Sequence, residues 1–335
     1  MMIKAFGEVM MRLDVPGHLK LEQTRTLHVS YTGTGVNVLS ALSRFGHQTS
    51  LITKLPDNSL GDAALAYIRS LGIGTQDVCR GGKYLGKYFL ENGFSVRPAK
   101  VTYSNRQESS FCTASLHDYH LDDILKDTTL IHFCGITLAV SDDARHIALK
   151  MAEKAKQRGI TVVFDCNYRP KLWENQYAKA QPFYEAMLQL TDICFMTEKD
   201  AKLLLDIDTD KTDRKEQMED LLTQAAEKFA IHTIAGTIRK AESKHQVIQG
   251  FIHHRTSFVY SREYVYETLD RIGAGDGFAG GIIHGFLHSL SMHDMIEFAT
   301  ASSVLAHTTY GDAPICSTEE VWTLVKNGTK TDIER

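Results

Sequence analysis

Short apolar runs alternate along this chain with stretches in which apolar residues recur every three or four positions. The runs Ile3–Val9, Ser50–Leu55, Leu130–Ile136, Thr161–Asp165, Ile193–Met196 and His232–Ala235 predict strands. Between them, Val36–Phe45, Ala63–Leu71 and Ser141–Arg158 predict helices, stopped at Gly46, Gly72 and Gly159. Strands that are apolar throughout, separated by crossover helices, indicate an α/β fold with a mostly parallel sheet. Two stretches break the rhythm. Thr24–Thr32 and Gly86–Arg106 read as extended, turn-punctuated segments without an intervening helix, either edge hairpins of the main sheet or a separate small sheet.

Near the C-terminal end the pattern changes again. Gly273-Ala274-Gly275-Asp276-Gly277 is a glycine-rich turn running directly into a helical pattern of Phe278, Ile282, Ile283, Phe286 and Leu287. Glycines let consecutive backbone N–H groups converge on an anion, and the following helix adds its positive end at the same point. A carboxylate there repels a bound phosphate. Asp276 therefore makes most sense as a base, taking a proton from a hydroxyl that attacks phosphorus. Two other readings compete: a glycine-rich helix start that only permits close helix–sheet packing, and a dinucleotide fingerprint, since Gly275-x-Gly277-x-x-Gly280 fits that spacing. The fingerprint must open a βαβ unit, and here only helical pattern follows.

The stretch Asp270-Arg271-Ile272-Gly273-Ala274-Gly275-Asp276 resembles the D-T-x-G-A-G-D signature of the ribokinase-like (PfkB) carbohydrate kinases. The resemblance spans nearly the whole chain. It implies a three-layer αβα sandwich with a mostly parallel central sheet and a small β-sheet lid, ATP and Mg²⁺ as cosubstrate and cofactor, Asp276 as catalytic base, and Gly273, Ala274 and Gly275 as an anion hole. It also implies one domain over residues 1–335, with lid segments at about 12–32 and 86–110, and a homo-oligomer formed through the lid.

Other segments extend the likeness. Gly33-Thr34-Gly35-Val36-Asn37 is similar to the family's G-G-x-x-x-N sugar signature, with Thr34 at the second glycine, so Gly33 and Asn37 are candidates for sugar hydroxyls. Phe164-Asp165-Cys166-Asn167-Tyr168-Arg169-Pro170-Lys171-Leu172-Trp173 resembles the F-D-x-N-x-R-P-x-L-W run of 2-keto-3-deoxygluconate kinases, which implies Arg169 near the phosphates and Asn167 as an orienting group. His307-Thr308-Thr309-Tyr310-Gly311-Asp312 is similar to their K-H-T-x-x-G-D segment, in which the Asp contacts the keto acid. Arg12 stands where fructokinase-like members carry an acid. With Tyr88, Tyr103 and Arg106 it favours an acidic sugar, because a guanidinium matches a carboxylate.

The chain also departs from the family pattern. Thr197-Glu198-Lys199-Asp200 replaces N-x-x-E, leaving Asp200 to hold magnesium-bound water, and Ala235-Gly236-Thr237-Ile238-Arg239 replaces the usual nucleotide loop, with Gly236, Thr237 and Arg239 as phosphate contacts. Asp270 and Ile272 match positions that hold a monovalent cation such as K⁺ in some relatives. These departures keep two alternatives open, a kinase for a neutral ketose such as fructose and a sugar-binding relative without turnover.

Composition narrows the remaining classes. With 335 residues, 43% hydrophobic, 23% charged and a net charge of −4, the chain has the length for a sizeable core and no basic excess for nucleic acid. The absence of a long apolar run or a secretory pattern predicts a cytoplasmic protein without a membrane segment. The six cysteines form no CxxC pair, and Cys134, Cys166 and Cys194 fall in strand-like runs as buried thiols. His284 and His288 stand one helical turn apart without the Glu of H-E-x-x-H and read as helix-surface residues, while His117 and His120 read as loop polarity. No G-x-x-x-x-G-K-[ST] is present.

Overall fold

The computed structural model describes residues 2–242 and 245–328. The strands are β1 (Met2–Phe6), β2 (Met10–Asp14), β3 (His28–Thr32), β4 (Gln48–Leu55), β5 (Val78–Arg80), β6 (Gly86–Glu91), β7 (Lys100–Ser104), β8 (Thr128–Cys134), β9 (Thr161–Asp165), β10 (Ile193–Phe195), β11 (Thr233–Glu242), β12 (His245–His254), β13 (Ser257–Tyr260) and β14 (Tyr264–Tyr266). The helices are α1 (Thr34–Arg44), α2 (Ser59–Ser70), α3 (Leu121–Ile124), α4 (Gly135–Val140), α5 (Asp142–Gln157), α6 (Tyr177–Leu188), α7 (Arg214–Phe229), α8 (Ala274–Leu287), α9 (Met292–Ala306) and α10 (Thr318–Asn327).

The main sheet runs β13-β12-β11-β10-β9-β8-β1-β4-β5, with β14 also pairing β12. From β11 to β5 every pair is parallel, and β12, β13 and β14 add an antiparallel flank. Period-two alternation sends neighbouring side chains to opposite faces, and both faces are covered. Ile3, Leu130 and Val163 join one core with Leu39, Leu42, Phe278 and Ile282 of α1 and α8. Phe6, Phe133 and Phe164 join another with Met151, Tyr184 and Leu222 of α5, α6 and α7. The expected three-layer sandwich is the result.

The expected helix stops are present, since Gly46, Gly72 and Gly159 all take positive φ. Asn58 caps α2, accepting from Leu60 N at 3.0 Å, so that helix starts earlier than its apolar pattern.

Three boundaries differ from the sequence reading. Ile3–Val9 is not one strand: β1 ends at Phe6, Gly7–Val9 turns, and β2 enters a different sheet. The run at Leu130–Ile136 stops at Cys134, because Gly135 opens α4. The extended segments form the expected separate small sheet, four-stranded in the order β3-β2-β6-β7. Gly236–Arg239 is not a loop: it continues β11, with Gly236 opposite Phe251 and Arg239 opposite Ile248 on β12.

The small sheet packs on the residue just before the glycine-rich turn that opens α8. Met10, Tyr88 and Leu90 on its inner face pack together with Ile272. Its outer face carries an apolar row, Val29, Leu13 and Phe89, in register across β3, β2 and β6, with Val29 55% exposed.

Candidate active site

Parallel α/β sheets bring the loops after their strands together at one end, and here those loops surround a cavity of about 800 Å³. Its walls include Gly33 and Asn37 at the start of α1, Asp165, Asn167 and Arg169 after β9, and Asp200 after β10. Gly236, Thr237 and Arg239 of β11, Gly273, Gly275 and Asp276 at the start of α8, and Tyr88, Tyr103 and Arg106 from the small sheet and its following loop complete them.

The turn before α8 has the geometry its glycines suggested. Gly273 is the N-cap, at φ 86° and ψ −13°, and a Cβ there would collide with the carbonyl oxygen of Asp312. No side chain caps the helix, and its first regular bond is Gly277 N to Gly273 O at 2.9 Å. The amides of Ala274, Gly275 and Asp276 are thus the helix's unpaired first donors. Beside Gly275 the space a Cβ would take is open to 4 Å. The set is an anion cradle.

Asp276 is buried within this cradle and accepts from Asn37 Nδ2 at 2.7 Å. Burial pushes its carboxyl up to about 8, Asn37 opposes that shift by favouring the charged form, Asp165 adds to it, and Arg169 opposes it. A carboxylate poised near neutrality, at an anion cradle and facing a cavity, has the attributes of a general base. The Oδ1 of Asn37 lies 3.2 Å from Thr32 Oγ1.

On the opposite wall, Asp165 ends β9 and is raised to about 7 by burial, with Arg169 opposing and Asp200 reinforcing the shift. Asn167 donates to Asp165 at 3.3 Å from a backbone with φ 36°, a left-handed conformation that asparagine tolerates. Asp200 accepts from Thr197 N at 2.9 Å and Thr197 Oγ1 at 2.8 Å, and burial raises its carboxyl as well. Thr197 therefore orients Asp200. Two buried carboxylates, Asp165 opposed chiefly by Arg169 and Asp200 chiefly by its hydrogen bonds to Thr197, form an oxygen donor set that fits a hard dication such as Mg²⁺.

Two expected site residues are engaged within the protein. Arg12 is 2% exposed and does not line the cavity. Its guanidinium is taken up by Asp14 and Asp270, both at 2.8 Å, and by Asp312. It ties the small sheet to Asp270, ahead of α8, and to Asp312. Asp270 is occupied in the same way: one carboxylate oxygen holds Arg12, the other accepts from Ile272 N at 3.1 Å, and its carbonyl meets His307 Nδ1 at 3.0 Å. Each oxygen of Asp270 thus already has a partner within the protein.

Asp312 reaches the cavity, accepting from Thr32 Oγ1 at 2.7 Å and the Tyr88 hydroxyl at 2.9 Å. Arg106 also faces the cavity but pairs with buried Glu8 at 2.8 Å and lies over the Tyr103 ring at 4.9 Å. Asp165 and Glu8 were missed as functional candidates. An acid closing a buried strand is a legible signal for Asp165, whereas Glu8 became visible only when β1 and β2 separated.

Among known proteins, a crystal structure of an Enterococcus faecalis protein provisionally assigned as a 2-keto-3-deoxygluconate kinase is 36% identical. It covers 100% of this chain and 99% of its own, at a TM-score of 0.95. The 2-dehydro-3-deoxygluconokinase of Thermotoga maritima is 33% identical over 98% of both chains, at a TM-score of 0.92. A 2-dehydro-3-deoxygalactonokinase of Haloferax volcanii is 28% identical over 324 residues, 96% of each chain. The sequence profile of the pfkB family carbohydrate kinases matches residues 2–319. With that match over the cradle, the buried Asp276 and the two-sheet fold, the chain belongs to the pfkB family of carbohydrate kinases.

Proposed function

We propose that this kinase transfers the γ-phosphoryl group of ATP to the terminal hydroxyl of 2-keto-3-deoxygluconate, giving 2-keto-3-deoxy-6-phosphogluconate and ADP. The observation that carries the reading is the buried Asp276 carboxyl at the mouth of α8, bonded to Asn37 at 2.7 Å and surrounded by uncapped amides. Asp276 takes the hydroxyl proton as the oxygen attacks phosphorus in line. The amides of Ala274, Gly275 and Asp276, with Arg169, face the charge that grows on the transferring group. Asp165 and Asp200 would hold Mg²⁺, which when bound supplies charge neutralisation at the phosphates. Thr237 and Arg239 on β11 stand on the nucleotide side of the cavity.

The sugar lies under the small sheet, which acts as a lid over it, with Asn37, Asn167, Tyr88, Tyr103, Arg106 and Asp312 around it. Relatives named for 2-keto-3-deoxy sugar acids support an acidic substrate. One observation favours a neutral ketose: Glu8 already neutralises Arg106, and three carboxylates neutralise Arg12. An ADP-release assay with 2-keto-3-deoxygluconate, its galactonate epimer, fructose and ribose separates the readings. The sugar acid should have the highest kcat/KM. A preference for fructose would replace the substrate class, and sugar binding without ADP release would replace the kinase reading.

The apolar row Val29, Leu13 and Phe89 supports self-association through the outer face of the small sheet, in a cytoplasmic homo-oligomer. Val29→Glu should reduce the molar mass in light scattering, and an unchanged mass would put the interface elsewhere. Among the described residues, no helix is long and apolar enough to cross a membrane.

A further inference from the structure

The sequence places His284 and His288 on one helix, and the fold adds a third imidazole from far away in the chain. His47 follows Gly46 in the turn between α1 and β4, and its Nε2 lies 2.9 Å from His284 Nδ1. One ligand nitrogen from each of His47, His284 and His288 lies within 4.8 Å of the others. His284 is therefore not a surface residue: it is 5% exposed, stacked on Phe298 at 4.8 Å and edge-on to Phe45 at 5.2 Å. That packing fixes its ring. His47 is half-buried and His288 exposed, so the cluster opens to solvent on one side.

We propose that His47, His284 and His288 form a binding site for a zinc-class transition metal ion, with a fourth position open to water. Imidazole nitrogens select Zn²⁺, Ni²⁺, Co²⁺ or Cu²⁺ over Mg²⁺, which keeps this site chemically separate from the carboxylates of the cavity. Two nitrogens on one tetrahedral zinc ion at about 2.0–2.1 Å stand about 3.3 Å apart, so the present 2.9 Å pair needs only a small separation. The exposed His288 has the freedom to supply the third bond. The site also sits at the C-terminal end of α8, where the helix dipole favours a cation.

The position gives the ion a structural consequence. α1 and α8 meet at one end through Asn37 and Asp276, and in the middle, where a Cβ on Gly280 would stand 2.7 Å from that of Ala41. At the far end they meet through His47 and His284. A metal ion there clamps the two helices that carry the base and its hydrogen-bond partner.

The test uses untagged full-length protein, stripped of metal and titrated with Co²⁺ and then Zn²⁺, alongside His288→Ala and His47→Gln. Both variants leave the buried His284 in place and should fold, which the melting temperature of the metal-free proteins checks. Wild type should bind one Co²⁺ with a nitrogen-ligand absorption band, lose the band to Zn²⁺, and melt at a higher temperature with Zn²⁺. Each variant should bind Zn²⁺ roughly tenfold or more weakly and lose the melting shift. Equal Zn²⁺ affinity in wild type and both variants, or a wild-type Kd weaker than about 100 µM, would overturn the site and leave the three rings as a packing cluster.

Discussion

Asn37 donates its side-chain amide to the carboxylate of Asp276 at 2.7 Å, across a sequence separation of 239 residues. The contact joins the first turns of α1 and α8 and favours the charged form of an acid that burial drives toward neutrality. It lowers the pH at which the buried Asp276 ionises. With the carboxyl raised to about 8, kcat/KM should climb with pH along a limb centred near 8 rather than near 4. Asn37→Ala removes a group that lowers this pKa, so the limb should move to higher pH. A rise in KM alone, with the limb unmoved, would limit Asn37 to sugar binding.

The two glycines of the cradle should respond differently. Gly273 holds φ 86°, and its missing Cβ lets the Asp312 carbonyl approach, so Gly273→Ala should cost more than about 1–2 kcal/mol and most activity. Gly275 has open space at its Cβ position, so Gly275→Ala should keep its melting temperature while losing turnover by crowding the anion. Thermal melts and steady-state kinetics on both variants decide this. Equal melting losses would contradict the assignment of the open space to the substrate.

Arg12 and Arg106 look equivalent in the sequence and should not behave alike. Arg12→Met strands the Asp270 and Asp312 carboxylates in a buried setting, a loss of about 3–5 kcal/mol. Arg106→Lys retains a charge for Glu8 but loses the planar fork facing the cavity, so it should raise the sugar KM with a smaller change in melting temperature. A selective KM effect from Arg12→Met at unchanged stability would restore Arg12 to the substrate.

Burial of Asp276 also has a sign in stability. The folded chain keeps this proton to about pH 8, whereas the unfolded chain releases it near its ordinary value of 3.8. The native state thus binds more protons across that window, and stability falls as pH rises through it. Asp276→Asn removes the buried charge and should raise the melting temperature at pH 8 by roughly 2 °C or more, with little change at pH 4. A lower melting temperature at pH 8 would mean that the charged carboxylate is net stabilising.

Much of this site could be read from the chain because its signals are local. Gly273 to Asp276 announce both the turn and the helix, and Asn37 follows its glycines within one turn. What failed to read depends on distant partners. Arg12 meets Asp270 across 258 residues, and nothing near Arg12 in the sequence marks it as buried. The strand β11 runs through Gly236–Arg239 because β12 pairs along it, an event local propensity does not encode. His47 carries no motif at all, and its relation to His284 exists only once α1 and α8 lie side by side.

The most direct measurement is the turnover of Asp276→Asn with Mg-ATP and 2-keto-3-deoxygluconate, beside sugar and nucleotide binding by calorimetry. The proposed base role predicts intact binding of both ligands and a fall in kcat of roughly 10²–10⁴-fold or more. An asparagine variant that turns over at a near-normal rate would contradict it.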